Sequence, residues 1–158
     1  MDADWLDERE EAAWRAFHSM RIQLLGHLAR RLNAEAGMSE AEYEVLVVLS
    51  EAPDQRLRSR DLGLALQWHR SRLSHQLDRM EKRGLLKREL CPTDARGCVA
   101  VLTSPGRRAI EEAAAVHVAD IRHCFADVLT PSQLEGLTEA ANAVIAHLRA
   151  EHADDVQE

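Results

Sequence analysis

The chain is poor in aromatic residues, with three Trp, one Tyr and two Phe in 158 positions. Sandwich and barrel cores draw heavily on aromatic and β-branched side chains. Their scarcity beside abundant Ala and Leu points to a mainly helical domain. Cysteine is scarce too: Cys91, Cys98 and Cys124 are an odd number without CxxC spacing, which excludes a disulfide scaffold or a thiolate zinc site. The eight histidines form no HExxH or paired cluster, so they read as surface and packing residues and no metal is expected. No run of about 20 apolar residues exists to span a bilayer. The opening MDADWLDEREE lacks the basic-then-apolar order of a secretory leader, which predicts a cytoplasmic protein. No Gly-rich phosphate loop or nucleophile–base pair is visible, so neither catalysis nor a cofactor is expected.

The net charge of −7 argues against a nucleic-acid partner until its distribution is considered. Residues 56–108 hold thirteen Arg/Lys and five Asp/Glu, a balance of +8, whereas the remainder holds seven and twenty-two, a balance of −15. Phosphate attraction is local, acting within a Debye length of about 8–10 Å. A basic middle between acidic arms is therefore the pattern of a nucleic-acid binder.

Within that middle, residues 67–84 read QWHRSRLSHQLDRMEKRG. At 3.6 residues per turn, Leu73, Leu77 and Met80 share one stripe. Ser71, His75, Asp78 and Lys82 share the opposite side, with Arg72, Ser74 and Arg79 on its flanks. A helix with one buried face and one face of long donors and small hydroxyls suits a DNA major groove, where Arg forks onto guanine O6 and N7. The same pattern alone also describes an ordinary solvated helix, so the flanking elements decide.

Residues 5–36 form a long amphipathic helix through Trp14, Phe17, Leu24, Leu25, Leu28 and Leu32, stopped by Gly37. Ser39 and Glu42 make a capping box that opens a second helix ending near Ala52 and Pro53. A connector able to hold a short strand follows, then a third helix over residues 59–66. Trp68, before a cap at His69 and with Leu73 as the fourth helical residue, has the spacing of a hydrophobic staple, so it reads as packing rather than as a base-stacking platform. Gly84 ends the fourth helix. Residues 85–91 and 98–102 are strands around a polar turn over 92–97, a hairpin with a basic tip. Thr103, Ser104 and Pro105 cap a fifth helix over about 106–129, and Thr130 with Pro131 caps a sixth reaching about residue 152. A helix pair with a tight turn, followed at once by a basic hairpin, is a winged helix-turn-helix.

The run LDRMEKRGLLKRE (residues 77–89), the run DARGCVAVLT (residues 94–103) and the flanking long helices resemble the multiple antibiotic resistance regulator (MarR) family over nearly the whole chain. The resemblance implies a mainly α fold of six helices plus a small β-hairpin wing. It implies one domain over 1–158, with a DNA-binding lobe at 38–103 and dimerisation helices at 5–36 and 104–152 that build an obligate-type homodimer. It implies a transcriptional regulator, most simply a repressor, on a palindromic operator. It places Arg70, Ser71, Arg72, Ser74, His75 and Gln76 on the groove-facing part of the helix, with Arg79 on its flank, makes Arg96 the wing-tip arginine, and makes Asp94 its acidic partner. Gln67 and His69 depart from the Gly and Ser that family members often carry there. The resemblance also implies a cleft for small, often aromatic acids, for which Trp14, His18, Tyr43 and His117 are candidates; ordinary packing is the other reading. Cys91 and Cys98, flanking the hairpin turn, read either as a redox-sensing pair or as inert thiols. A winged helix that binds protein instead of DNA is the alternative of a different class, opposed by the +8 segment.

Overall fold

The computed structural model describes residues 5–91 and 94–155, with the side chains of residues 91–97 and 152–155 excepted. The chain forms two compact units, Met1–Ala119 and Asp120–Glu158. The first contains α1 (Glu8–Ala36), α2 (Glu40–Glu51), β1 (Arg56–Arg58), α3 (Ser59–Leu66), α4 (Arg70–Lys82), β2 (Leu86–Cys91), β3 (Asp94–Leu102) and most of α5 (Ser104–Cys124). The second holds the last turn of α5, a 3-10 turn at Ala126–Val128, and α6 (Pro131–Asp155). No helix among the described residues is long and apolar enough to cross a membrane.

Local chemistry sets most helix ends. Asp7 accepts from the N–H groups of Arg9 and Glu10, both at 2.8 Å, while Glu10 accepts from the Asp7 N–H at 2.8 Å. This capping box starts α1 at Glu8, three residues later than the apolar pattern beginning at Trp5 predicts, because its carboxylate oxygens accept from the free N–H groups of the first turn. Gly37 closes α1 at φ 59. Gly84, at φ 73, closes α4 with a paired motif: its N–H bonds Glu81 O at 2.9 Å and the Leu85 N–H bonds Met80 O at 3.0 Å. Thr103 Oγ1 accepts from the Gly106 N–H at 3.1 Å, so α5 begins at Ser104 rather than at Gly106. It ends at Cys124 rather than near 129, because Phe125 leaves helical geometry at φ −134, ψ −63. At α6, Thr130 and Gln133 cap each other, Thr130 N–H to Oε1 at 2.9 Å and Gln133 N–H to Oγ1 at 3.3 Å.

The sheet is three-stranded in the order β1-β3-β2, all antiparallel. The predicted hairpin is there, and the connector strand joins its far edge with Leu57 opposite Ala100. The strand β3 begins at Asp94, so the polar turn expected over 92–97 is largely strand. Under the sheet lies one continuous core in which Val45, Leu46 and Leu49 of α2, Leu62 of α3, Leu73, Leu77 and Met80 of α4, and Ile110 and Ala113 of α5 are all buried. It fixes α4 from behind, leaving the opposite face to solvent.

One polar junction ties this core together. Ser39 N–H and Oγ each donate to Glu42 Oε2 at 2.9 Å, and Arg83, at the end of α4, donates to Glu42 Oε1 at 2.5 Å and to Gly37 O at 3.1 Å. Burial pushes the Glu42 carboxyl up, but the Ser39 and Arg83 donors outweigh it and hold its pKa below the usual glutamate value. A lowered folded-state pKa gives stability that is complete above the unfolded value and lost as pH falls through the folded one. Glu42→Gln is therefore expected to lower stability by about 1–2 kcal/mol at pH 7. The gap to wild type should narrow as both are acidified below pH ~4, read from denaturant midpoints across pH.

Candidate nucleic-acid interface

The site is built on the outward face of α4. His69 starts the helix with extended backbone at φ −63, ψ 147, and its side chain makes no capping bond. Behind it Trp68 is half-buried against the core beside Leu73, the staple that the spacing predicts. Arg70, Ser71, Ser74 and His75 are exposed along the first two turns. Toward α3 and β3 this face borders a groove of about 840 Å³ lined among others by Arg58, Ser59, Arg60, Leu64, Arg70, Ser74, Arg88 and Cys98.

The cations are sorted by position. Away from the groove they are paired: Arg56 with Glu89 at 2.8 Å, Lys87 with Glu89 at 2.7 Å, and Arg83 with Glu42. Lys87 and Arg56 together hold the Glu89 pKa below its usual value. Arg60 and Arg70 in the groove lining, and Lys82 on the exposed face of α4, make no ion pair among the described residues and are open to a polyanion. Arg88 on β2, which also lines the groove, is paired. It donates through its backbone N–H and side-chain Nε to Glu81, both at 2.9 Å, and pairs with Glu81 at 2.8 Å and with Asp78 at 2.6 Å. These bonds lower the Glu81 pKa and raise that of Arg88, and they fasten the wing to the helix across its two carboxylates.

The MarR family profile matches residues 36–97. The transcriptional regulator HosA of Escherichia coli O111:H- is 30% identical over 106 residues, which are 67% of this chain and 76% of HosA. Among solved structures, AbsC, a MarR family regulator from Streptomyces coelicolor, is 39% identical with a TM-score of 0.87, covering 94% of this chain and 99% of its own. Sco3205, a MarR family regulator from the same organism crystallised in complex with DNA, is also 39% identical with a TM-score of 0.87, covering 92% of each chain.

The chain belongs to the MarR family.

As a MarR family transcriptional regulator it carries the expected winged helix-turn-helix, with α3 and α4 as the helix pair and β2–β3 as the wing. Several site expectations need correction. Gln76 is 3% exposed and lies on the buried side of α4, where its side-chain oxygen accepts from Arg79. It lies three residues after Leu73 and four before Met80, so it adjoins both on the helical wheel and faces the core and not a groove. Arg79 is exposed but tied to Gln76. Arg72 is exposed, and its guanidinium carbon lies 4.0 Å from the centroid of the Trp68 ring. The Asp94 and Arg96 side chains lie outside the described residues.

Cys91 and Cys98 are not cross-strand partners. The register sets Cys98 opposite Leu90 and Cys91 opposite Asp94, with an irregularity after Leu90. The Cys98 sulfur instead lies 2.7 Å from Ser59 Oγ. The four aromatic and histidine candidates for a ligand cleft form two pairs rather than one site. Trp14 stacks on His18 along α1 at 6.0 Å, beside a shallow cavity of about 320 Å³ lined by α1 residues alone. Tyr43 of α2 meets His117 of α5 at 4.6 Å, where His117 Nδ1 is buried without a hydrogen-bond partner among the described residues. Burial and the Glu51 charge raise the Tyr43 pKa. Sequence reasoning missed Arg58, Arg60 and Arg88. The signal was present in their place within the +8 segment, but their convergence needs the sheet to fold over α3.

Proposed function

We propose that this MarR family regulator binds duplex DNA through α4 and the wing, as a homodimer on a palindromic operator, and represses by occluding it. The observation that carries this reading is the exposed row Arg70, Ser71, Ser74 and His75 on a helix whose back is locked in the core, beside the ion-pair-free Arg60. Sco3205, at 39% identity, has been crystallised with DNA, which supports the assignment. Arg96 belongs to the same reading as the wing-tip contact, entering a narrow, electronegative minor groove, with Asp94 steadying it. Arg72 contributes a base or phosphate contact from the flank; Gln76 is withdrawn.

The dimer rests on exposed apolar side chains at residues 5–36 and 104–152. Trp14 is 57% exposed and Ile22 55% on α1; Val144 is 60% exposed on α6. Apolar stripes of that size on a soluble chain mark surfaces that a partner covers, and the commonest partner is a second copy about a two-fold axis. Two copies of α4 then sit about one duplex turn apart, ~34 Å, in successive major grooves. A small aromatic effector at the Tyr43–His117 pair or along the Trp14–His18 face would release DNA by favouring one lobe spacing over another.

Selection of bound duplexes from a random pool tests the whole reading. Enrichment of an inverted repeat with half-sites one turn apart is the expected result. A purified protein that remains monomeric and retains no duplex at low salt overturns it.

A further inference from the structure

Trp68 has two neighbours of different kinds. The side chain packs against the core, which a staple requires. Its ring also carries the Arg72 guanidinium, with the carbon 4.0 Å from the centroid. Arg72 is four residues on and one turn up the helix, so its side chain folds back toward the N-terminal end of α4. That end is where helix-turn-helix proteins meet base edges. An exposed arginine normally samples many rotamers and loses that freedom on binding. A guanidinium already held over a fixed ring loses less, and its N–H donors remain available to a base edge. The Glu44 carboxyl of α2 feels the Arg72 charge as well: burial and Glu40 push the Glu44 pKa up, and Arg72 pulls it back down.

We infer that Trp68 is a positioning residue for sequence discrimination, its half-buried indole holding the Arg72 guanidinium at the leading end of α4 in the orientation that reads a guanine edge. The inference rests on the DNA-binding reading and adds to it which residue sets specificity and through what contact. Trp68 itself touches no base. Its effect reaches DNA through Arg72, so it belongs to discrimination between sequences and not to general attraction for phosphate.

The test separates the staple from the stack. Trp68→Leu keeps an apolar side chain against Leu73 and removes the π face; Trp68→Phe keeps both. Each variant is titrated against the selected operator and a scrambled duplex of equal length, with thermal unfolding as a check on folding. The ratio of operator to scrambled affinity is expected to fall about three- to five-fold in Trp68→Leu and to stay within about two-fold of wild type in Trp68→Phe. The salt dependence on scrambled DNA should be unchanged in both, since no phosphate contact is lost. Arg72→Gln, which leaves the Trp68 packing intact, should lower the ratio about ten-fold, and adding Trp68→Leu to it should lower the ratio no further. If Trp68→Leu is too unstable to titrate, Trp68→Met takes its place, a longer apolar side chain without a π face, with the same fall expected alone and no further fall on the Arg72→Gln background. An unchanged ratio in Arg72→Gln overturns the inference alone, as does an equal loss on operator and scrambled DNA. A wild-type protein that binds neither duplex overturns the DNA reading and this inference with it.

Discussion

Gly106→Ala is expected to destabilise the fold by more than about 3 kcal/mol, or to leave no soluble protein. A Cβ built at this position lies 1.9 Å from the Leu85 carbonyl oxygen, 2.8 Å from the Leu85 carbonyl carbon and 2.9 Å from a Leu102 methyl. Two of these three atoms are backbone and cannot rotate aside. The Leu85 carbonyl is itself held by the Thr103 N–H at 3.3 Å, and Thr103 Oγ1 donates to Gly84 O at 2.6 Å. The first turn of α5 would have to withdraw from the end of α4, breaking these bonds and its own cap together. Denaturant unfolding checks the outcome, with Gly136→Ala as the contrast. Nothing lies within 4 Å of a Cβ at Gly136, so that change should stabilise α6 by about 0.5–1 kcal/mol.

The second large effect concerns Arg88. Arg88→Met removes the only cation bonded to both Asp78 and Glu81 among the described residues. Affinity for duplex DNA should fall about ten-fold or more at low salt, for two reasons that act together. The wing loses its fastening to α4, and two carboxylates on the DNA-facing helix are left uncompensated near phosphate. The stability loss should be smaller, about 1 kcal/mol, because the cluster is partly open to solvent and screened. Fluorescence anisotropy on one labelled duplex measures the affinity. Restoring neutrality with Asp78→Asn and Glu81→Gln on the Arg88→Met background should recover the repulsive part of the loss and leave the part due to a loosened wing. Equal affinity of Arg88→Met and wild type would remove Arg88 from the interface.

Much of this architecture was legible in the sequence because it is encoded over three to five residues. Ser39 with Glu42 and Thr130 with Gln133 each specify a helix start through neighbours on the first turn, and Trp68 with Leu73 does so across the cap between them. The stripe of Leu73, Leu77 and Met80 identified the buried side of α4, and the exposed row from Arg70 to His75 followed from it. Gln76 was misread for an instructive reason. The family resemblance marked it as a base reader, whereas its spacing, three residues after Leu73 and four before Met80, placed it inward, and periodicity prevails over resemblance when a helix has a core behind it. The helix ends that were missed, at Glu8 and Cys124, were set by an overlooked Asp7–Glu10 box and by a backbone break at Phe125 that no residue type announces.

By itself the sequence determined which segments become helix or strand, which side of each is apolar, and where positive charge gathers, since all three depend on near neighbours along the chain. Only the tertiary structure decided that Arg83 reaches Glu42 across 41 positions, that Cys98 meets Ser59 across 39 rather than Cys91 across the turn, and that Gly106 sits against the Leu85 carbonyl. Contacts of that range depend on how the sheet and helices pack together, and many distant pairs of suitable chemistry compete until packing selects one.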